Sequence, residues 1–322
     1  MSRKKTKMQF GKPKNVAEKF VKNHSHLGYT KDKLKELGVE FPCRSASTGV
    51  SYIEGLTNVQ SHIRDAWKKG RAREGFPGGL TSLTKEFAEQ YLEERREQNL
   101  GQKTLDRDRQ ALQFALQKKL DRVYSNQGEK GELAQATRAI SHTQMKVIAS
   151  GQSEKNALAT ELSFTSGIRQ HEFYSLRRVG EGKPESQRNW DQNRFAGKHG
   201  EYVSYLVTGK GGLIRIVLVR SDLSERLETL RLDQPKNVID RGIKYSDVRY
   251  GIGAGTNWAR SFSRSSNKHL GWSTGAHGLR HSFAQNRMEE TQKAGISFDQ
   301  ALGATASELG HFNVKTTLTY LR

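Results

Sequence analysis

Two short stretches of the sequence combine an arginine with side chains that could bind a phosphate group. Residues 277–281 read His-Gly-Leu-Arg-His, which places His277 and Arg280 three residues apart at the start of a predicted helix. The two side chains then face one way, and the helix dipole favours a bound anion. Arg169 follows a glycine that should end one helix and begin another, so its guanidinium could offer a fixed pair of donors to phosphate, with Glu172 pairing with it three residues on. Taken alone, the Arg169 stretch is better explained as an ordinary surface ion pair.

Three further residues could transfer protons or attack a bound group. Lys210 stands in a Gly-Lys-Gly-Gly turn, where a substrate backbone could approach closely and the ammonium could protonate a leaving oxygen. His311 follows Leu-Gly, and Tyr320, whose phenol could act as a nucleophile, comes nine residues later. A lysine in a turn is usually solvated and a tyrosine near the end of a chain usually packs, so the chemistry depends on the fold bringing these residues together.

The elements that would position these residues form the second of two predicted domains. We predict a basic N-terminal arm over residues 1–45, a helical domain over 46–124, a polar, glycine-containing linker over 125–137, and a mostly helical domain over 138–322. In the last, runs of β-branched residues on both sides of Lys210 predict an antiparallel hairpin. The predicted fold class is therefore mainly α with a small antiparallel β-sheet.

The helical domain over 46–124 has a basic side. Apolar residues at helical spacing predict three helices, and Thr104 could cap the third. The polar side of that helix carries four basic side chains that could bind DNA: Arg107, Arg109, Lys118 and Lys119. For any one of them, the solvated side of a helical bundle is the simpler explanation.

Composition narrows the class of partner. Lys and Arg number 54 against 34 for Asp and Glu, a formal charge of +20, which favours a polyanion bound through counterion release. A basic protein whose charge only sets its solubility is an equal explanation from composition alone.

Other classes of protein can be excluded. The one cysteine, Cys43, excludes a disulfide framework or a cysteine-rich zinc module. The arginine within 277–281, and the lack of an acidic or Cys partner at ligand spacing, argue against a metal site there. The first residues lack the apolar segment of a signal peptide, so we expect a protein that is neither exported nor membrane-spanning.

As an ordered set, the candidate residues resemble the catalytic set of the tyrosine recombinases, the phage-type integrase family. The resemblance spans roughly residues 141–322, and the helical domain before it looks like the family's core-binding domain. It implies that Arg169 and Arg280 clamp the phosphate, that Lys210 is the hairpin lysine, and that His277 and His311 are the two histidines. Tyr320 would be the nucleophile, and Glu172 matches the acidic residue that supports the first arginine.

The resemblance implies a site-specific recombinase that cleaves and rejoins DNA through a covalent 3′-phosphotyrosyl intermediate, without metal, ATP or another cofactor. Two arginines and a histidine would stabilise the transition-state charge, His277 would act as base and Lys210 as acid. Its expected partners are double-stranded DNA with specific recombination sites, three further copies in a homotetramer on synapsed DNA, and accessory DNA-bending or directionality factors. We expect a cytoplasmic, DNA-associated protein that serves a mobile genetic element.

Two features depart from the family pattern. The polar segment 178–200 is longer than expected and has no assigned role. The sequence also stops two residues after Tyr320, where many family members continue with a tail that packs on a neighbouring subunit, so we expect either a missing tail or another assembly contact. Two alternatives stay open: a type IB topoisomerase, which relaxes supercoils as a monomer with similar residues, and a non-catalytic DNA-binding protein on the same fold.

Overall fold

The computed structural model describes residues 11–27, 29, 31–72, 74–127, 137–311 and 313–321. The chain divides into two compact units, Met1–Gly131 and Glu132–Arg322. The linker predicted over 125–137 lies mostly outside the described residues.

The first unit is helical. Its α-helices are α1 (Pro13–His24), α2 (Lys31–Glu36), α3 (Ala46–Lys68), α4 (Lys85–Glu97) and α5 (Gln102–Leu116). Ser45 and Thr84 cap α3 and α4 by accepting hydrogen bonds from backbone N–H groups three residues on. The predicted cap at Thr104 is wrong: α5 begins at Gln102, so Thr104 lies inside its first turn.

Part of the sequence that we assigned to a basic arm is folded. Ala17, Phe20 and Val21 lie on one face of α1, and they are buried in the same apolar cluster as Leu56 and Leu112. The i, i+3, i+4 spacing of these three residues is the pattern of an amphipathic helix, which the density of lysines around them obscures. Residues 1–10 of the predicted arm lie outside the described residues.

The second unit combines helices with two small antiparallel sheets. Its α-helices are α6 (His142–Ser150), α7 (Glu154–Ser166), α8 (Ser221–Glu228), α9 (Gly255–Leu270), α10 (Gly278–Lys293), α11 (Phe298–Leu309) and α12 (Lys315–Leu318). Strands β1 (Arg177–Arg178), β2 (Tyr202–Thr208) and β3 (Ile214–Arg220) form one sheet in that order, and β4 (Arg231–Asp240) pairs with β5 (Ile243–Tyr250) in the other. The predicted fold class is confirmed, although the β4–β5 hairpin was not among the predicted elements.

The core of the second unit holds the elements that carry the candidate residues. Leu158 and Leu162 of α7 pack in one apolar cluster with Trp258 of α9 and with inward-facing residues of β2 and β3. Leu279 of α10 belongs to the same cluster. The ends of α7, α10 and β2 are therefore fixed relative to one another by close packing.

Candidate active site

Gly167 determines how the chain leaves α7. It adopts φ +62°, the left-handed conformation that ends a helix, and a Cβ at this position would lie 2.6 Å from the ring of Phe283. The helix that we predicted to begin near Arg169 is not there: Arg169 lies in a loop, and the 3₁₀ turn Glu172–Ser175 follows it. The turn nevertheless brings Arg169 and Glu172 together.

Glu172 fixes the orientation of the Arg169 side chain. Its carboxylate accepts hydrogen bonds from Nη1 of Arg169 at 2.6 Å, from the backbone N–H of Arg169 at 2.8 Å and from Nη2 of Arg215 at 2.9 Å. Burial alone would raise the pKa of Glu172, but Arg215, Arg169 and Arg280 outweigh it and lower the pKa to about 2. Glu172 is therefore a permanent anion that fixes the Arg169 guanidinium.

Arg215 is a residue that the sequence analysis missed. It is fully buried on β3, at a position whose neighbours of the same parity, Leu213, Val217 and Val219, all face the core. Its Nε donates to the carbonyl oxygen of Glu308 at 2.9 Å, so it joins Glu172 to the end of α11. A charged residue buried on the apolar face of a strand needs a buried partner of opposite charge. The position of Arg215 within an apolar run of the sequence could have predicted such a pair.

Arg280 lies beside these groups and is 1% exposed. Its guanidinium donates to the carbonyl oxygen of Gly167, and to that of Leu309 at 3.1 Å. Its Nη2 lies 3.5 Å from Nε2 of His311, which follows α11 through the left-handed residue Gly310. Among the described residues, Arg280 Nε has no hydrogen-bond partner.

Tyr320 lies against both histidines. Its hydroxyl is 3.1 Å from Nε2 of His277, and its ring centroid is 5.2 Å from that of His311 and 5.8 Å from Cζ of Arg280. Nδ1 of His311 lies 2.8 Å from Oγ1 of Thr317, which fixes the histidine to the turn that carries the tyrosine. The phenol, both histidines and Arg280 thus form one contiguous group.

The environment keeps both histidines neutral. Partial burial and the charge of Arg280 lower the pKa of His277 to about 4, although its side chain is open to solvent at the cavity. Burial, Arg280 and Arg169 lower the pKa of His311 to about 3. Near pH 7 each imidazole can therefore accept a proton as well as donate a hydrogen bond.

A cavity of about 420 Å³ opens onto this group. Its lining includes Arg169, Lys210, His277 and Arg280, together with Glu172. Lys210 is exposed on the turn between β2 and β3. Tyr320, 8% exposed, and His311 are not part of the lining but contact the residues that form it. The structure therefore brings all six predicted catalytic residues to one place, four at the cavity and two directly behind it.

The segment 178–200, to which the sequence analysis gave no role, attaches to the sheet. Ser186 N donates to the carbonyl oxygen of Ile214 at 3.0 Å, and Ile214 N donates to Oγ of Ser186 at 2.9 Å. Further along, Nη2 of Arg194 donates to the carbonyl oxygen of Ile216 at 2.7 Å. These bonds follow the free edge of β3, the strand that leads away from Lys210.

The same segment also attaches to α11 and the loop after it. Phe195 N donates to Oε1 of Glu308 at 3.2 Å, and Nη2 of Arg188 donates to the carbonyl oxygen of His311 at 3.2 Å. The segment therefore connects the hairpin that carries Lys210 to the loop that carries His311. After Arg178, the end of β1, the segment consists of turns and loops. No periodic pattern in the sequence could therefore have predicted this connection.

The predicted DNA-binding residues of the first unit fall into two groups. Arg107 pairs with Glu54 and Asp108, and Arg109 donates to the Gln113 side chain and to the Leu120 carbonyl oxygen. Lys118 and Lys119 are exposed just after α5. Lys118 and Lys119 therefore remain accessible to a polyanion, whereas the arginines are held by neighbours within the unit.

Among the residues that the structure describes, no helix is both long and apolar enough to cross a membrane. No group of three or more His, Cys, Asp or Glu side chains in the same residues is arranged to hold a metal ion.

Comparison with known proteins identifies the fold. The chain resembles the XerH site-specific recombinase bound to palindromic difH substrate in a post-cleavage complex, with a TM-score of 0.55, 16% identity, and coverage of 98% of this chain and 94% of that one. The XerH pre-cleavage complex with difH gives the same values. The Tn1549 transposon integrase in complex with transposon right end DNA matches with a TM-score of 0.49 and 14% identity, over 97% of this chain and 95% of that one. No protein-family model matches the chain, and no curated protein matches it. At this identity the likeness to XerH establishes a shared fold.

Proposed function

We propose that this protein is a site-specific DNA recombinase of the tyrosine class, with Tyr320 as the nucleophile. The observation that carries the proposal is the position of Tyr320, whose hydroxyl is 3.1 Å from His277 Nε2 and whose ring is 5.8 Å from the Arg280 guanidinium carbon. Residues separated by more than 150 positions in the sequence converge around this group. The fold that holds them is shared with XerH, a site-specific recombinase.

The charges at the cavity favour a bound phosphodiester. Among the described residues, the lining has four cationic side chains, Arg169, Lys210, Arg241 and Arg280, and one carboxylate, that of Glu172. In the same part of the chain, Nε of Arg280 is a buried donor without a partner, and a buried donor left without an acceptor costs about 1 to 3 kcal/mol. A phosphate oxygen held by Arg169 and Arg280 would supply an acceptor and neutralise part of this charge.

In the proposed step, a bond forms between the phenolic oxygen of Tyr320 and the phosphorus atom while the bond from phosphorus to the 5′ oxygen breaks. His277 takes the phenolic proton, since its neutral Nε2 already faces the hydroxyl. Lys210 donates a proton to the departing 5′ oxygen, and Arg169 and Arg280 stabilise the charge on the non-bridging oxygens. The strand remains joined to the enzyme by a 3′-phosphotyrosyl bond, so the reverse attack by a 5′ hydroxyl rejoins DNA without ATP.

The substrate in this proposal is double-stranded DNA with specific sites. XerH forms pre-cleavage and post-cleavage complexes with its difH substrate. The formal charge of +20 of the present chain suits a similar polyanion. We further propose that the protein acts as a homotetramer on two synapsed sites and is assisted by DNA-bending or directionality factors.

The test begins with sheared DNA from the cells that encode the protein. After incubation with the wild-type protein, covalent complexes are recovered under denaturing conditions and their DNA is sequenced to identify the cleavage site. A nicked duplex of that site should trap wild-type protein and Tyr245→Phe, which removes another tyrosine hydroxyl at the same cavity. Tyr320→Phe should bind the duplex and give no adduct, and an adduct with that variant would overturn the proposal.

A second assay separates recombination from the alternatives. Two duplexes that carry the recovered site should exchange strands, whereas a topoisomerase would relax a supercoiled plasmid and exchange nothing. A non-catalytic binding protein would form no covalent complex in either assay.

A further inference from the structure

Helix α10 contacts Tyr320 at three successive turns. His277, at the N-terminus of the helix, His281 and Gln285 are four residues apart and therefore lie on one face. His277 bonds the phenolic hydroxyl, the ring of His281 lies 4.6 Å from the tyrosine ring at 35°, and Nε2 of Gln285 donates to the Tyr320 carbonyl oxygen at 3.2 Å. One helix face thus holds the hydroxyl, the ring and the backbone of the same residue.

The segment that carries Tyr320 has little support of its own. Helix α12 has four residues, too few to be stable in isolation, and Tyr320 follows it with its N–H bonded to the Thr317 carbonyl oxygen at 2.9 Å. His311 anchors Thr317, three residues before the tyrosine. The orientation of the phenol therefore depends on its neighbours, which are the face of α10 and, at the end of α11 and just after it, Leu309 and His311.

His281 does not take part in phosphate binding. It is 7% exposed and is not among the residues that line the cavity. Its Nδ1 has no hydrogen-bond partner among the described residues. Burial and Arg138 lower its pKa to about 4, against a smaller rise from the Tyr320 backbone, so the ring carries no charge near neutral pH. What remains is a flat, neutral ring packed on the nucleophile.

We infer that His281 is a positioning residue for the nucleophile: its ring holds the Tyr320 side chain against His277 before the strand is cut. This inference rests on the proposed function and adds a residue with no role in the catalytic set described above. It predicts an asymmetry between the two half-reactions. Before cleavage the phenol must be held by packing, whereas in the covalent complex the bond to phosphorus holds it.

The experiment measures both half-reactions at the recovered DNA site. Single-turnover cleavage of the nicked duplex gives the forward rate, and addition of a strand with a free 5′ hydroxyl to the isolated covalent complex gives the rejoining rate. His281→Ala should slow cleavage by roughly 10- to 100-fold, the size of effect expected for a misplaced reactive group, and leave rejoining within about 3-fold of wild type. His281→Phe, which keeps a ring of similar size, should restore cleavage to within about 5-fold.

Each other outcome decides against the inference or against the function. Equal slowing of cleavage and rejoining by His281→Ala, as expected for Arg280→Lys in the shared transition state, would overturn the positioning role. So would wild-type cleavage by His281→Ala, or failure of a folded His281→Phe to restore the rate. If wild-type protein forms no adduct at all, the proposed function itself fails.

Discussion

Arg107 and Arg280 are the same residue type in two opposite surroundings. In the first unit, Arg107 lies between Glu54 and Asp108, and the Asp108 carboxylate is fully buried and also bonded to Arg95. In the second unit, Arg280 has the cations Arg169 and Arg215 nearby, and the buried carboxylate of Glu172 offsets the charge of all three. A positive charge already matched by carboxylates therefore supports the fold, whereas a positive cluster in excess of its carboxylates beside a cavity stabilises the fold poorly and suits an anionic ligand.

The sharpest test of this contrast replaces each arginine by lysine, which keeps the charge and removes the planar fork. Arg280→Lys should leave DNA affinity within a few-fold and slow single-turnover cleavage by on the order of 10² or more, the size typical of a lost transition-state donor. Arg107→Lys should leave cleavage within about 3-fold. Normal cleavage by Arg280→Lys at saturating DNA would show that Arg280 only anchors the substrate.

The converse test concerns stability. Burial raises the pKa of Asp108 in spite of Arg95 and Arg107, so the expected loss comes from hydrogen bonds and not from the charge itself. Asp108→Asn replaces one of the two oxygens that accept from these arginines by an NH₂ donor, so we expect it to lower the free energy of unfolding by roughly 1 to 3 kcal/mol. Urea unfolding followed by circular dichroism measures the loss, and cleavage by the folded fraction should be unchanged. An unchanged unfolding midpoint would mean that these pairs contribute nothing to the fold.

The site histidines predict a pH dependence of stability. His281 and His311 have pKa values lowered to about 4 and about 3, whereas in an unfolded chain they titrate near 6.5. The unfolded state therefore binds more protons below pH 6.5, and each histidine should lower the free energy of unfolding by up to about 1.4 kcal/mol per pH unit as the pH falls toward 4.

Urea unfolding of wild type and His311→Gln between pH 7 and pH 5 isolates the contribution of His311, because the other titrating groups are common to both proteins. His311→Gln should make the slope shallower. An identical slope for wild type and His311→Gln would show that His311 titrates normally.

The smallest predicted effect concerns DNA affinity in the first unit. Lys118 and Lys119 are exposed, so replacing either by alanine should weaken DNA binding a few-fold and reduce the slope of log affinity against log salt by about 1. Arg109→Ala should change that slope less, because Gln113 and Leu120 already accept its hydrogen bonds. A larger change of the slope for Arg109→Ala than for the lysine variants would show that Arg109, and not these lysines, contacts the DNA backbone.

The proposed catalytic residues could be selected from the sequence because local patterns mark them. Gly167 and Gly310 end helices in the left-handed conformation next to Arg169 and His311, and the turn of the β2–β3 hairpin places Lys210. The expected helix at Arg169 was wrong because a 3₁₀ turn produced the same juxtaposition with Glu172. In residues 169–172 the three-residue spacing of Arg169 and Glu172 correctly predicted their ion pair, although the type of helix was wrong.

Other features left a weak or interrupted pattern. Strand β4 is mostly exposed and contains Pro235, so it lacks the alternation of a half-buried strand. Strand β5 does alternate in burial, but it is short and Asp247 within it adopts a positive φ of 59°. The segment 178–200 is held by hydrogen bonds to β3 and α11, partners that only the folded chain brings near. The contact of His281 with Tyr320 joins α10 to the turn after α12, and a sequence pattern does not encode such contacts.

The most direct test of the central claim is to identify the residue that is joined to DNA. Wild-type covalent complex, formed on the recovered site, is digested with nuclease and protease, and the nucleotide-bearing peptide is sequenced by mass spectrometry. We expect a single modified peptide with the 3′ phosphate of the cleaved strand on Tyr320. Attachment to any other residue, such as Tyr245 at the same cavity, would contradict it.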